Sequence, residues 1–211
     1  MLKKGNIVSD ITLLQALEYM GTGRESGCLM QDRELVALCH RGKTAEYGIL
    51  VERYQRLVFS IAYQLLRSRE EAEDAAQEAF VKVYSRIIST ADVDFLPYIR
   101  TTVTNLCLDR LRRQKTAARH LAAIKEEDLT EHSTPETSMM RSLAQQLLQE
   151  AVERLPDMYR EILVMHYVAG HSYEAIAQII DQPMSIVKNR IFRGKNILRE
   201  IYLQIEGGVK G

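Results

Sequence analysis

Residues 172–198 read SYEAIAQIIDQPMSIVKNRIFRGKNIL, and this stretch decides the fold. Apolar residues fall three and four apart on both sides of Asp181-Gln182-Pro183, predicting two short helices around a tight turn. Ser172 is placed to cap the first helix, and Glu174 lies where a carboxylate favours the helix dipole. Position 181 needs a left-handed backbone, which Asp tolerates better than most residues. In the first helix Tyr173, Ile176, Ala177 and Ile180 face inward, and in the second Val187, Ile191, Gly194 and Leu198 form the buried stripe. The opposite face of the second helix then presents Ser185, Lys188, Asn189, Phe192, Arg193 and Asn196. Lys188, Arg190, Arg193, Lys195 and Arg199 follow one another with no acid between Asp181 and Glu200. Cations and Asn can reach base edges in a major groove, and an aromatic ring can pack on a thymine methyl, so the stretch reads as a helix-turn-helix for duplex DNA.

Upstream, the periodicity stays helical. Helices are expected from Asp32, across Tyr47–Leu65, from Arg69 to Ile88, and from Phe95 to about Ala118 with Pro97 in the first turn. Residues 121–140 carry one basic and five acidic side chains, include Pro135, and lack apolar periodicity. They read as a linker. Helical pattern resumes near Ser142; Pro156 opens a further helix and Gly170 closes it. The fold class expected is all-α: two small helical domains joined by a flexible linker, the C-terminal one a helix-turn-helix. The boundaries are 1–31 for a disordered N-terminal extension, 32–119 for the first domain, 120–140 for the linker, 141–206 for the second domain and 207–211 for a tail.

The 211 residues hold 28 basic and 28 acidic side chains. A protein held on DNA by phosphate neutralisation alone is usually basic. Here the charge is segregated, which predicts a DNA face and a separate protein-facing acidic face. Cys28, Cys39 and Cys107 are odd in number and form no C-x-x-C pair, arguing against a disulfide framework or zinc site. The five histidines show no spacing suited to a metal site or a triad, so no catalytic residue, metal or cofactor is expected. No segment has the length of a membrane span, and residues 1–20 lack a signal-peptide apolar run, so a cytoplasmic protein with no direct membrane insertion is expected.

Three features of the first domain remain. Glu70, Glu71, Glu73, Asp74 and Glu78 form an acidic patch, with Asp74, Gln77, Glu78 and Val81 opposite the apolar stripe. Phe95, Tyr98, Arg100 and Asn105 interleave aromatics with a cation and an amide, a composition suited to unstacked bases. Arg110, Arg112, Arg113 and Lys115 end the fourth helix in a segment free of acid from Arg110 to Lys125.

The ordered set EEAEDAAQEAFVKVY, F-x-x-Y-I and N-x-x-x-D-x-L-R-R, followed by a linker and the helix-turn-helix, resembles the extracytoplasmic-function (ECF) sigma factors of bacterial RNA polymerase. The resemblance covers about residues 32–205. It implies a promoter-specificity subunit that recognises −35 and −10 elements and promotes DNA opening. Asp74, Gln77, Glu78 and Val81 would dock on the clamp coiled coil of core RNA polymerase. The loop at about 88–95 would take a flipped base of the −10 non-template single strand. Phe95, Tyr98, Arg100 and Asn105 would help hold that strand, and Arg112 and Arg113 would contact its backbone. Ser185, Lys188, Asn189, Arg190, Phe192 and Arg193 would read the −35 duplex. The resemblance further implies an anti-sigma partner. Tyr98 stands where the family usually has Trp, and Asp181 where it usually has Gly. The competing reading is a stand-alone dimeric helix-turn-helix regulator.

Overall fold

The computed structural model describes residues 30–122 and 143–209. The extension before Met30 and most of the segment read as linker lie outside the described residues. Among the described residues every regular element is helical.

In the first domain, α1 (Asp32–His40) starts at a capping box between Gln31 and Glu34. Asp32 receives Arg53 and Tyr54 from α2 (Ala45–Leu66), tying the two helices together. Burial and this carboxylate push the Tyr54 phenol up to about 12. Arg67 ends α2 in the left-handed region, at φ 60°. Its N–H donates to the Tyr63 carbonyl at 2.9 Å. Ser68 then caps α3 (Arg69–Ser89) by accepting from the Glu71 N–H. α4 (Phe95–Ala122) follows the Thr90–Asp94 loop and runs beyond the expected end near Ala118.

α3 buries Ala72, Ala75, Ala76 and Ala79 along one face, small residues that let α2 and α4 approach closely. Leu35, Leu50, Ile61, Leu65, Ile87 and Ile99 fill the space between the helices. Phe95 belongs to this core: it is 1% exposed, with ring centroids 5.3 Å from Tyr54 and 6.2 Å from Tyr47.

In the second domain, α5 (Leu143–Glu153) leads through a turn to α6 (Asp157–Leu163), with Pro156 at the cap. The helix does not stop at Leu163. Residues Val164–Val168 widen into a π-turn, with the Ala169 N–H reaching the Val164 carbonyl at 2.9 Å. Gly170, at φ +71°, reverses the chain into α7 (Tyr173–Ile180). α8 (Met184–Val209) completes the domain and continues through Gly207-Gly208, into the segment read as a tail.

The two domains pack together. The π-turn serves both cores: Val164, Val168 and Ala169 join the first cluster, while Met165 joins the second. Leu108 of α4 reciprocates by entering the second cluster. Around these apolar contacts the seam is polar. Gln64 donates to Gln149 at 2.6 Å, both side chains buried. Arg67 donates to the Glu153 and Leu155 carbonyls. Thr104 Oγ1 meets His171 Nε2 at 3.1 Å.

Burial and the neighbouring Arg100 guanidinium hold the His171 imidazole below its ordinary value of 6.5. The groups facing it are Arg100 and Thr104 from α4; His166 Nδ1 donates to its carbonyl. The unfolded chain therefore takes up this proton first as pH falls. The stabilisation from neutral His171 is complete above 6.5 and is lost below it, by at most about 1.4 kcal/mol per pH unit. Thermal melts from about pH 7.5 to about pH 5.5 should show a smaller acid-side drop in Tm for His171→Gln than for the unsubstituted chain.

Candidate nucleic-acid and polymerase interface

The helix-turn-helix is built as its sequence predicts. Ser172 Oγ accepts from the Ala175 N–H at 3.1 Å, and Glu174 sits in the first turn. Backbone N–H bonding, then Ser172, holds the Glu174 carboxyl below its ordinary range. Asp181 takes the left-handed conformation at φ 52°, and its N–H and that of Gln182 close the helix on the Gln178 and Ala177 carbonyls. Pro183 then opens α8, accepting from Ile186 and Val187.

Val187, Ile191 and Leu198 point into the domain core. Gly194 lies on the same stripe, and a Cβ built there would stand 3.2 Å from Tyr159 Cβ and 3.3 Å from Leu163 Cδ1. The absence of a side chain thus brings the recognition helix directly onto α6. The opposite face carries Ser185, Lys188, Asn189, Phe192 and Arg193, all exposed, with Arg190 half-buried beside them. Phe192 is 64% exposed, a large apolar ring held in water between cations.

On α3, Asp74, Gln77 and Val81 are exposed, Val81 at 65%. Glu78 is engaged: Lys82 and Arg110 each reach its carboxylate at 3.0 Å and hold it below the ordinary carboxylate range. Arg110 also donates to the Glu71 carbonyl at 2.9 Å, and Gln114 to the Glu71 carboxylate. Arg110 thereby joins α4 to the acidic face, a role its place in a basic run did not distinguish.

The expected strand-binding set divides. Tyr98 and Asn105 are exposed near the start of α4, and Arg113 is exposed at its basic end. Phe95 is a correction: enclosed by Tyr47 and Tyr54, its ring has no face for a base. Arg100 is half-buried against the second domain, where a Cβ built on Gly170 would stand 2.9 Å from Arg100 Nη1. Arg112 pairs with Asp109 at 2.9 Å and donates to the Ile179 carbonyl at the end of α7. The loop is partly anchored, with Val93 buried between exposed Asp92 and Asp94.

The buried cysteines and described histidines serve packing. Burial pushes the Cys107 thiol up to about 12, leaving it neutral. His40 Nδ1 donates to the Ile87 carbonyl at 2.9 Å, linking α1 to α3. Among the described residues no group of three His, Cys, Asp or Glu side chains could hold a metal ion, and no helix is long and apolar enough to cross a membrane.

Comparison with known proteins decides what this arrangement belongs to. The model for sigma-70 region 2 matches residues 50–117, and that for sigma-70 region 4 matches residues 145–198. The ECF RNA polymerase sigma factor SigW of Bacillus subtilis is 30% identical over 181 residues, covering 81% of this chain and 96% of its own. The chain belongs to the ECF sigma factors. The ECF sigma-E factor of Escherichia coli K12 is likewise 30% identical, over 178 residues, with 80% and 93% covered. In fold the chain is similar to CnrH in its complex with the cytosolic domain of CnrY, at a TM-score of 0.51 and 20% identity, covering 81% of this chain and 96% of that one. It is similar also to RpoE of Bartonella quintana in complex with the anti-sigma factor NepR, at a TM-score of 0.52 and 20% identity, with 74% and 96% covered. The chain is therefore an alternative sigma factor that initiates transcription, and the reading as a stand-alone dimeric regulator is not favoured.

The close approach at Gly194 yields a direct test. Gly194→Val should overpack the α6–α8 contact and lower stability by about 1–3 kcal/mol, measured by denaturant unfolding.

Proposed function

We propose a residue-level division of labour for this ECF sigma factor. The outer face of α8 reads the −35 duplex: Lys188 and Arg193 reach base edges or phosphate, Asn189 pairs with a base edge, and Phe192 packs on a thymine methyl. Ser185 and Arg190 secure the backbone on either side. Tyr98 and Asn105 hold the −10 non-template strand, by stacking and by edge hydrogen bonding, with Arg100, Arg112 and Arg113 supplying positive charge. The loop leading to α4 receives a flipped base, offsetting part of the cost of unstacking it. Phe95 supports this edge from within the core and does not touch the strand. Asp74, Gln77, Glu78 and Val81 dock on the basic clamp coiled coil of core RNA polymerase. Docking exchanges the Glu78 contacts with Lys82 and Arg110 for partner cations.

The observation that carries the reading is Phe192. A ring 64% exposed among Lys188, Asn189 and Arg193 gains nothing from water, and a groove wall supplies its missing contact. Zero net charge agrees with a chain that supplies readout while polymerase supplies much of the electrostatic affinity. An anti-sigma partner and a cytoplasmic site of action complete the proposal. The named neighbour complexed with NepR supports the first, and the work of a sigma factor on polymerase supports the second.

Run-off transcription on a matched linear promoter tests the division. Alanine at Lys188, Phe192 or Arg193 should weaken −35-dependent initiation by about 1–3 kcal/mol per base contact while core binding persists. Equal loss of core binding would overturn the assignment. Reversing charge with Asp74→Lys and Glu78→Lys should weaken the affinity for core polymerase at least several-fold without lowering helicity by circular dichroism. Unchanged affinity would remove α3 as the docking face.

A further inference from the structure

Arg100 and His171 meet at the Gly170 corner, and neither has a counter-charge there. Arg53, Arg110 and Arg160, each partly covered or buried, hold the carboxylates of Asp32, Glu78 and Asp157. Among the described residues no carboxylate pairs with Arg100, and its Nε is buried without a hydrogen-bond partner. The other end of the guanidinium lies against exposed Gly170, where a built Cβ would stand 2.9 Å from Nη1. Thr104, one turn along α4 on the same face, places Oγ1 3.1 Å from His171 Nε2. The groups facing His171 are therefore Arg100 and Thr104 of α4, and His166 of the π-turn, which donates to its carbonyl. Tyr54 of α2 acts on Arg100, but burial keeps its phenol neutral. Two cation-forming groups and a hydroxyl thus converge with no described carboxylate acting on either cation. A covered charge without a partner loses hydration and recovers nothing for it. Guanidinium, imidazole and hydroxyl donors together complement a tetrahedral oxyanion, which offers several acceptor oxygens and neutralises the charge.

We infer that Arg100, Thr104 and His171 form a binding site for a phosphate group, carried either by a small phosphate species or by a nucleic-acid backbone. Arg100 supplies the permanent charge. His171 supplies a ring donor that becomes a second cation when protonated, and the Thr104 hydroxyl rotates to donate to a phosphate oxygen. Gly170 is required at the rim, because its backbone is left-handed and a side chain there would press on the guanidinium. Only the backbone source draws on the strand-binding role proposed above for Arg100; the small-phosphate source is independent of it. Proton linkage gives the site a signature. A bound anion favours the imidazolium over the imidazole, so occupancy raises the His171 midpoint, and affinity for the anion grows as the pH falls through the imidazole range.

The test uses the full chain with two probes, inorganic phosphate and sulfate. Phosphate added at constant ionic strength should move the His171 ring resonance to saturation by NMR and raise Tm. Arg100→Gln should weaken that binding at least several-fold without lowering helicity by circular dichroism, and Thr104→Val should weaken it less. Sulfate keeps one charge from about pH 7.5 to about pH 5.5, so its affinity reports the protein's protons alone. It should bind more tightly at the acid end, and His171→Gln should flatten that dependence. A merely structural role for these residues would change stability and leave the linkage untouched. A His171 resonance that does not saturate with phosphate, or equal phosphate binding by Arg100→Gln, overturns the site. A single-stranded −10 oligonucleotide then identifies the source. Displacement of phosphate by the oligonucleotide, whose own binding Arg100→Gln weakens, assigns the site to the strand backbone. Simultaneous binding of both assigns it to a small phosphate species. If Arg100→Gln weakens phosphate binding and leaves oligonucleotide binding intact, the site stands and the strand-binding assignment of Arg100 fails.

Discussion

A single turn of widened helix at Val164–Val168 must satisfy two hydrophobic cores, and the arrangement of the molecule follows from that. In a regular α-helix, residues 164, 165 and 168 would fall on one broad face. Within the π-turn Val164 and Val168 enter the first core while Met165 enters the second. Gly170 then makes the reversal that sends α7 and α8 back over the second core. The recognition helix inherits its direction from this corner and its depth from Gly194, where bare backbone rests on α6. The exposed face of α8 is thus positioned by residues on its buried side and at the corner that precedes it.

The electrostatics follow a related logic. The chain carries no net charge, and its basic and acidic groups are divided among separate faces. The acidic face of α3 is tethered to α4 by Arg110, which reaches both the Glu78 carboxylate and the Glu71 carbonyl. The basic face of α8 is left without acidic neighbours on its own helix until Glu200.

Most of the secondary structure was legible in the amino-acid sequence because local chemistry and periodicity agree. Ser68, Ser172 and Asp181 occupy caps their side chains favour, and the stripe of Val187, Ile191, Gly194 and Leu198 is buried as its spacing requires. The exposed face of α8 followed from that stripe. Phe95 was misassigned because an aromatic at a helix start carries the same pattern whether it stacks on a base or on Tyr54. The domain seam was illegible for a different reason. Gln64, Gln149, Arg67 and Arg100 are residues that ordinarily face water, and only the fold reveals that they are covered. The π-turn has no compositional mark, since it changes a hydrogen-bond register without needing a special residue.

The two arginine latches across the seam, Arg67 and Arg112, both close on main-chain oxygens: those of Glu153 and Leu155, and that of Ile179. A carbonyl is supplied by every residue type. The receiving side of each latch is consequently indifferent to which side chain stands at 153, 155 or 179, provided the helix ends there keep their shape. The donating side has no such freedom, because only a long, forked cation reaches those oxygens. The chemical demands on the two domains are therefore unequal where they meet. The first domain carries the chemical requirement, and the second domain can vary its surface there without releasing its grip.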